Sequence, residues 1–78
     1  MSESRKVVDA RGRACPEPVV LTKKAIEEGG FDVLEVLVGS ESARENVLRY
    51  AGHAGFAAAL VGTEGPAWRI EIRAEGSR

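Results

Sequence analysis

Cysteine occurs once in this 78-residue chain, at Cys15, and that scarcity excludes several chemistries at once. One thiol cannot form an intramolecular disulfide, and a zinc site built on several thiolates is ruled out. A dithiol redox site of the C-x-x-C type fails as well, because no second thiol is present to resolve a mixed disulfide. Long apolar runs are also lacking. The longest, Phe56 to Val61, has six residues, whereas a spanning helix needs roughly 20, so no membrane association is expected. Behind Met1-Ser2-Glu3-Ser4-Arg5-Lys6 there is no apolar stretch, so a secretory signal is not expected and the cytoplasm is the default compartment. Neither sign of charge dominates: 11 Lys and Arg stand against 12 Asp and Glu, for a net charge of -1. A dedicated nucleic-acid or membrane-surface binder would carry a strong basic excess, so direct nucleic-acid binding is not expected.

With 44% apolar and 29% charged residues the composition is globular. Nine glycines and three prolines are close to average, which excludes collagen and flexible-linker behaviour. No repeat, low-complexity segment or linker divides the chain. Its length is about half of a typical domain of roughly 150 residues, so residues 1–78 are read as one domain with a loose tail over 75–78. A core this small has to hold without covalent staples, through efficient packing or help from a partner.

Lys6 to Ala10 reads as a short strand, followed by a polar turn, Arg11-Gly12-Arg13. Cys15-Pro16-Glu17-Pro18 opens a helix, since prolines are tolerated in a first turn whose N–H groups have no intrahelical partner. Pro18, Val19, Leu21, Thr22, Ala25 and Ile26 share one side of that helix, and Gly29-Gly30 stops it. Val33 to Val38, interrupted only by Glu35, reads as a central strand. Ser42-Ala43-Arg44-Glu45 matches a capping box at a second helix start, with Val47, Leu48, Ala51 and Ala54 as its apolar stripe and Gly55 as its stop. Phe56 to Val61 reads as a third strand. After the tight connection Thr63-Glu64-Gly65-Pro66, Trp68, Ile70 and Ile72 alternate with Arg69, Glu71 and Arg73 as a half-buried fourth strand. The order is β-α-β-α-β-β. Right-handed crossovers place both helices on one face of the sheet. The expected fold is α+β, a two-layer α/β sandwich on a mixed four-stranded sheet that closes with an antiparallel hairpin.

Cys15 falls where the first strand hands over to the first helix, at a carboxyl end of the sheet, where open α/β sheets commonly place their chemistry. The helix dipole there favours thiolate over thiol. Arg11 and Arg13 add positive charge, with Lys23 or Lys24 contributing from further along the helix. Pro16 and Pro18 remove two N–H donors, so the activation is moderate, but they stiffen the entry turn and hold the sulfur in place. A lone exposed nucleophilic sulfur can accept a sulfur atom from a donor persulfide, hold it as Cys–S–SH and release it to an acceptor. That chemistry needs no base, metal or second cysteine. The competing reading is a structural thiol, because free cysteine is among the most buried residue types.

The segment Asp9-Ala10-Arg11-Gly12-Arg13-Ala14-Cys15-Pro16-Glu17-Pro18-Val19 resembles the signature of the TusA/SirA/YedF family of small sulfur-carrier proteins. That pattern is Asp, then Gly, then Cys-Pro-x-Pro at fixed spacing, followed by a helix rich in Thr and Lys, here Thr22-Lys23-Lys24-Ala25. The likeness extends to the length, the element order and the closing hairpin, and so spans nearly the whole chain. It implies a persulfide carrier on Cys15, with no cofactor or metal. The donor would be a cysteine desulfurase or a rhodanese-like protein. The acceptor would be a downstream protein, along a relay whose best-known end is 2-thiolation of the tRNA wobble uridine. Two features depart from the pattern. Arg13 stands where the family often has an apolar residue, and the second helix, Glu41 to Val47, looks more like the YedF-type branch associated with selenium metabolism. YedF-type proteins usually carry a second domain, and these 78 residues hold only one. A selenium carrier is therefore one alternative, and a non-catalytic interaction or regulatory module is another. Nothing in the sequence sets the oligomeric state.

Among the supporting residues, Asp9 ends the first strand and either braces the Arg11-Gly12 turn or pairs with an arginine near the thiol, readings favoured over direct proton transfer. Gly12 supplies backbone freedom. Arg11, Arg13, Lys23 and Lys24 form either a basic rim for an acidic partner or a plain solvated face. His53, the only histidine, reads as a partner of the second helix's C-terminal dipole rather than a ligand. Trp68 reads as packing rather than docking.

Overall fold

Val33 to Val38 is buried at every position but Glu35, and it takes an inner position in the sheet. A computed structural model describes residues 4–13 and 17–74. It contains β1 (Arg5–Asp9), α1 (Glu17–Glu28), β2 (Val33–Val38), α2 (Glu41–His53), β3 (Phe56–Glu64) and β4 (Ala67–Ala74). The sheet order is β1-β2-β4-β3. β1 runs parallel to β2, and β4 lies antiparallel between β2 and β3, so α2 carries the chain across β4. The α+β two-layer sandwich expected from the sequence is the fold observed.

Alternation along β2 and β4 turns Leu34, Val36, Val38, Ile70 and Ile72 to the helical face, where all are fully buried. They meet Ala25 of α1 and Ala43, Val47 and Ala51 of α2 in one core. Small alanines on the inner stripe let both helices lie close to the sheet. Burying each large aliphatic side chain there contributes roughly 1.5–3 kcal/mol. The opposite face explains Glu35, the one charge in an otherwise apolar strand. Glu35 pairs in register with Glu71, and Arg5 Nη1 bridges both carboxylates at 2.6 and 3.3 Å. Arg73 Nε adds a contact to Glu71 at 3.5 Å.

Several boundaries differ from the sequence reading. Ala10 lies past the end of β1, although its N–H still donates to Leu37 O at 2.8 Å. α2 begins at Glu41, not after Ser42. Its cap is Ser40, whose extended backbone (φ −141°, ψ 157°) lets its Oγ accept the Ala43 N–H at 3.2 Å. Three residues after Ser40 stands Ala43, so the reciprocal carboxylate of a capping box is missing. β3 runs on to Glu64 because a register shift between Leu60 and Gly62 absorbs one extra residue and lets the ladder resume. Gly65, at φ +60°, then opens the two-residue hairpin loop. Among the described residues, no helix is long and apolar enough to cross a membrane. The expected loose tail, 75–78, lies outside the described residues.

Candidate functional site

β1 and β2 are parallel, so both deliver the chain to the same end of the sheet, and α1 and α2 both start there. The segment between β1 and α1 carries the signature. Cys15 and Pro16 lie outside the described residues, and the site is defined by what holds the segment on either side. On the β1 side, Asp9 grips Arg11. Asp9 Oδ1 accepts the Arg11 backbone N–H at 3.1 Å and Arg11 Nε at 2.8 Å, and Oδ2 accepts Nη2 at 2.8 Å. The side-chain hydrogen bonds from Arg11, and then its backbone N–H, hold the Asp9 carboxyl at a pKa of about 2, well below the ordinary 3.8. Of the two roles open to Asp9, bracing the turn and pairing with a nearby arginine, the residue performs both. Gly12 follows at φ +76°, a backbone conformation that other residues adopt only under strain. Arg13 N–H closes the turn on Ala10 O at 3.2 Å. Gly39 of the β2–α2 turn lies behind the loop, where an added Cβ would come within 3.7 Å of Gly12 N.

On the α1 side, Glu17 starts the helix exposed and faces Arg13 across 3.7 Å. Pro18 is buried, and Thr22, also fully buried, donates its hydroxyl to Pro18 O at 2.8 Å. That bond closes within α1 itself, and the buried Pro18 ring seats the first turn against the core. Arg13 and Glu17, which bracket positions 14–16, are both exposed.

The expected basic rim is only partly assembled. Arg13 and Lys24 share a groove of about 280 Å³ between β1 and α1, together with Asp9. Arg11 is engaged with Asp9, and Lys23 is exposed but does not line the groove. At the far end Lys6 Nζ bonds Glu28 Oε1 at 2.7 Å, and this bond holds the Glu28 carboxyl below its ordinary range. Sequence reading missed the Lys6–Glu28 pair, which joins residues 22 apart in the chain. The Arg13–Glu17 contact has a local signal, its i,i+4 spacing. Trp68 packs against the core as expected, and Arg44 of α2 stacks over its ring at 5.1 Å. His53 ends α2, exposed. Among the described residues, no group of three or more His, Cys, Asp or Glu side chains is arranged to hold a metal ion.

Comparison with known proteins agrees with this arrangement. Residues 6–74 match the family described as "Sulfurtransferase TusA". A protein of Methanocaldococcus jannaschii named "Putative sulfur carrier protein MJ0990" is 38% identical over 69 residues, covering 87% of this chain and 92% of the relative. A "Putative sulfur carrier protein" of Archaeoglobus fulgidus is 37% identical over 70 residues, covering 86% and 93%. The crystal structure of a SirA-like protein from Desulfitobacterium hafniense superposes with a TM-score of 0.79 at 30% identity, covering 90% of this chain and 97% of that one. With its signature, its fold and these relatives in agreement, the chain belongs to the sulfurtransferase TusA family.

Proposed function

We propose that the protein is a sulfur carrier that holds sulfane sulfur as a persulfide on Cys15. The observation that carries this reading is the bracing of the two described flanks between which position 15 falls. The Asp9–Arg11 bonds brace the β1 flank, and the buried Pro18 anchors the first turn of α1 on the other. Such bracing suits a nucleophile that must present one atom repeatedly to different proteins. A thiolate at the start of α1 gains from the helix dipole and from Arg13. In the loading step the Cys15 thiolate attacks the terminal sulfur of a donor persulfide. A new S–S bond forms to Cys15, the donor's S–S bond breaks, and the donor cysteine departs as thiolate. The terminal sulfur keeps its proton or loses it to water, and no external oxidant or reductant takes part. In the release step a nucleophile of the acceptor attacks that same terminal sulfur and regenerates the Cys15 thiolate. The donor is a cysteine desulfurase or a rhodanese-like protein, the acceptor is a second protein, and tRNA thiolation is the downstream use that the family suggests.

Loading with a cysteine desulfurase and cysteine tests the reading. The wild-type chain is expected to gain one sulfur atom, removable by a thiol reductant, and Cys15→Ser to gain none. Equal loading of the variant would refute the assignment. Slow alkylation of Cys15 at neutral pH, with unchanged loading by another residue, would favour a structural thiol instead.

A further inference from the structure

β1 is an edge strand, and its outer side has no backbone partner among the described residues. The hydrogen-bond parity identifies the free groups. Ala10 N–H donates to Leu37 O, and Val33 N–H donates to Ser4 O, so the even-numbered positions face β2. The backbone N–H and C=O groups of Arg5, Val7 and Asp9 therefore point away from the sheet. These three positions span about 13 Å, enough for five residues of extended chain. The Val7 side chain on the open face is 57% exposed. Beside this row lies the groove between β1 and α1. Its floor is apolar, with Val8, Leu21 and Ala25. At about 280 Å³ it is small for a metabolite pocket and suits the side chains of a neighbouring strand.

Charge narrows the occupant further. Leu21, Lys24, Ala25 and Glu28 recur at helical spacing along the wall of the groove. Glu28 is engaged by Lys6 and Asp9 by Arg11. Among the described residues Lys24 has no ion pair within 4 Å and acts on Glu28 only at longer range, while Arg13 meets Glu17 at 3.7 Å and acts on Asp9 from further away. The charged lining of the groove, Lys6, Arg13 and Lys24 against Asp9 and Glu28, leaves a positive excess, with Arg13 at the end where β1 runs out and Lys24 one turn before Glu28 on α1. The other edge strand, β3, is broken by its register shift, a common protection against strand addition.

Building on the carrier reading, we infer that the β1 edge and its groove receive an extended acidic segment of the sulfur-exchanging partner. The segment adds a fifth strand beside β1, with carboxylates turned toward Lys24 and Arg13. Backbone bonds to Arg5, Val7 and Asp9 supply the attachment, and the groove selects alternate side chains. A strand seated there runs toward the Arg13 end of the groove, two residues from Cys15, and brings the partner's reacting group to it.

The probe is a capped heptapeptide alternating valine and glutamate, with a lysine-for-glutamate counterpart, titrated into the reduced full chain at low salt. Saturable binding is expected, with slower amide exchange at Arg5, Val7 and Asp9. Lys24→Glu, or the lysine peptide, should weaken it about tenfold or more. Val7→Pro deletes one outward N–H and leaves the β2 ladder intact, so it should also abolish protection; should that variant not fold, Lys24→Glu decides alone. The inference is overturned if both peptides bind equally, if nothing saturates, or if protection appears at β3. It is equally overturned if the β1 amides are already protected by a second copy without peptide. Persulfide loading is read separately by mass. Peptide binding by a chain that does not load removes the carrier reading alone, and loading without peptide binding removes only this inference.

Discussion

Asp9 and Arg11 are joined by two charge-assisted side-chain bonds of 2.8 Å and by the Arg11 backbone N–H, although only one residue separates them. The carboxylate therefore folds the chain back on itself where the sheet ends and the cysteine segment begins. This local clamp needs no contact from the core.

The clamp makes a pH prediction. The Asp9 carboxyl titrates near 2 when folded, against 3.8 ordinarily, so folding favours its ionised form. Its stabilising contribution is complete above about pH 4 and is lost as pH falls through about 2. Asp9→Asn should flatten the acid limb of stability in that window and leave neutral-pH secondary structure intact. Urea midpoints measured from pH 5 to pH 2 check this; parallel acid limbs in the two proteins would contradict it. Because the pair is exposed, added salt should shrink the difference.

Thr22 is fully buried in the core region, and its hydroxyl donates to Pro18 O. Thr22→Val keeps the shape and removes the donor. A loss of about 1 kcal/mol is expected, with Thr22→Ser retaining the bond. Thermal unfolding of both variants is the check, and a Val variant as stable as wild type would show that the hydroxyl contributes nothing.

Two serines compete for the cap of α2, and only one performs it. Ser40→Ala should cost about 1 kcal/mol, whereas Ser42→Ala should stay within about 0.5 kcal/mol. Chemical denaturation of the pair decides, and the reverse ranking would restore the later helix start.

This pair also shows what the sequence could convey. Ser42-Ala43-Arg44-Glu45 satisfies the capping pattern, but Ser40 lies directly after β2 and meets the helix in the extended conformation a cap requires. Spacing alone cannot weigh the two. Element order, both helix stops and the hairpin were legible because Gly29, Gly55, Gly65 and the Trp68–Ile70–Ile72 alternation are local signals. Asp9 and Gly12 were legible for the same reason. The groove was not, since Lys6 and Glu28 meet only once α1 lies against β1. The engagement of Arg11 was legible only as one of the roles left open for Asp9, and it removes Arg11 from the basic rim that the sequence suggested. Arg13, the departure from the family pattern, remains in that rim beside Lys24.

The account rests on sulfur entering and leaving at Cys15. Intact-mass measurement across a full cycle, loading from a persulfide donor and then discharge to an acceptor thiol, tests it most directly. The prediction is a gain of one sulfur atom on wild type, its return to the starting mass on discharge, and no change in Cys15→Ser at either step. A wild-type chain that never gains mass, or a serine variant that cycles equally well, would contradict it.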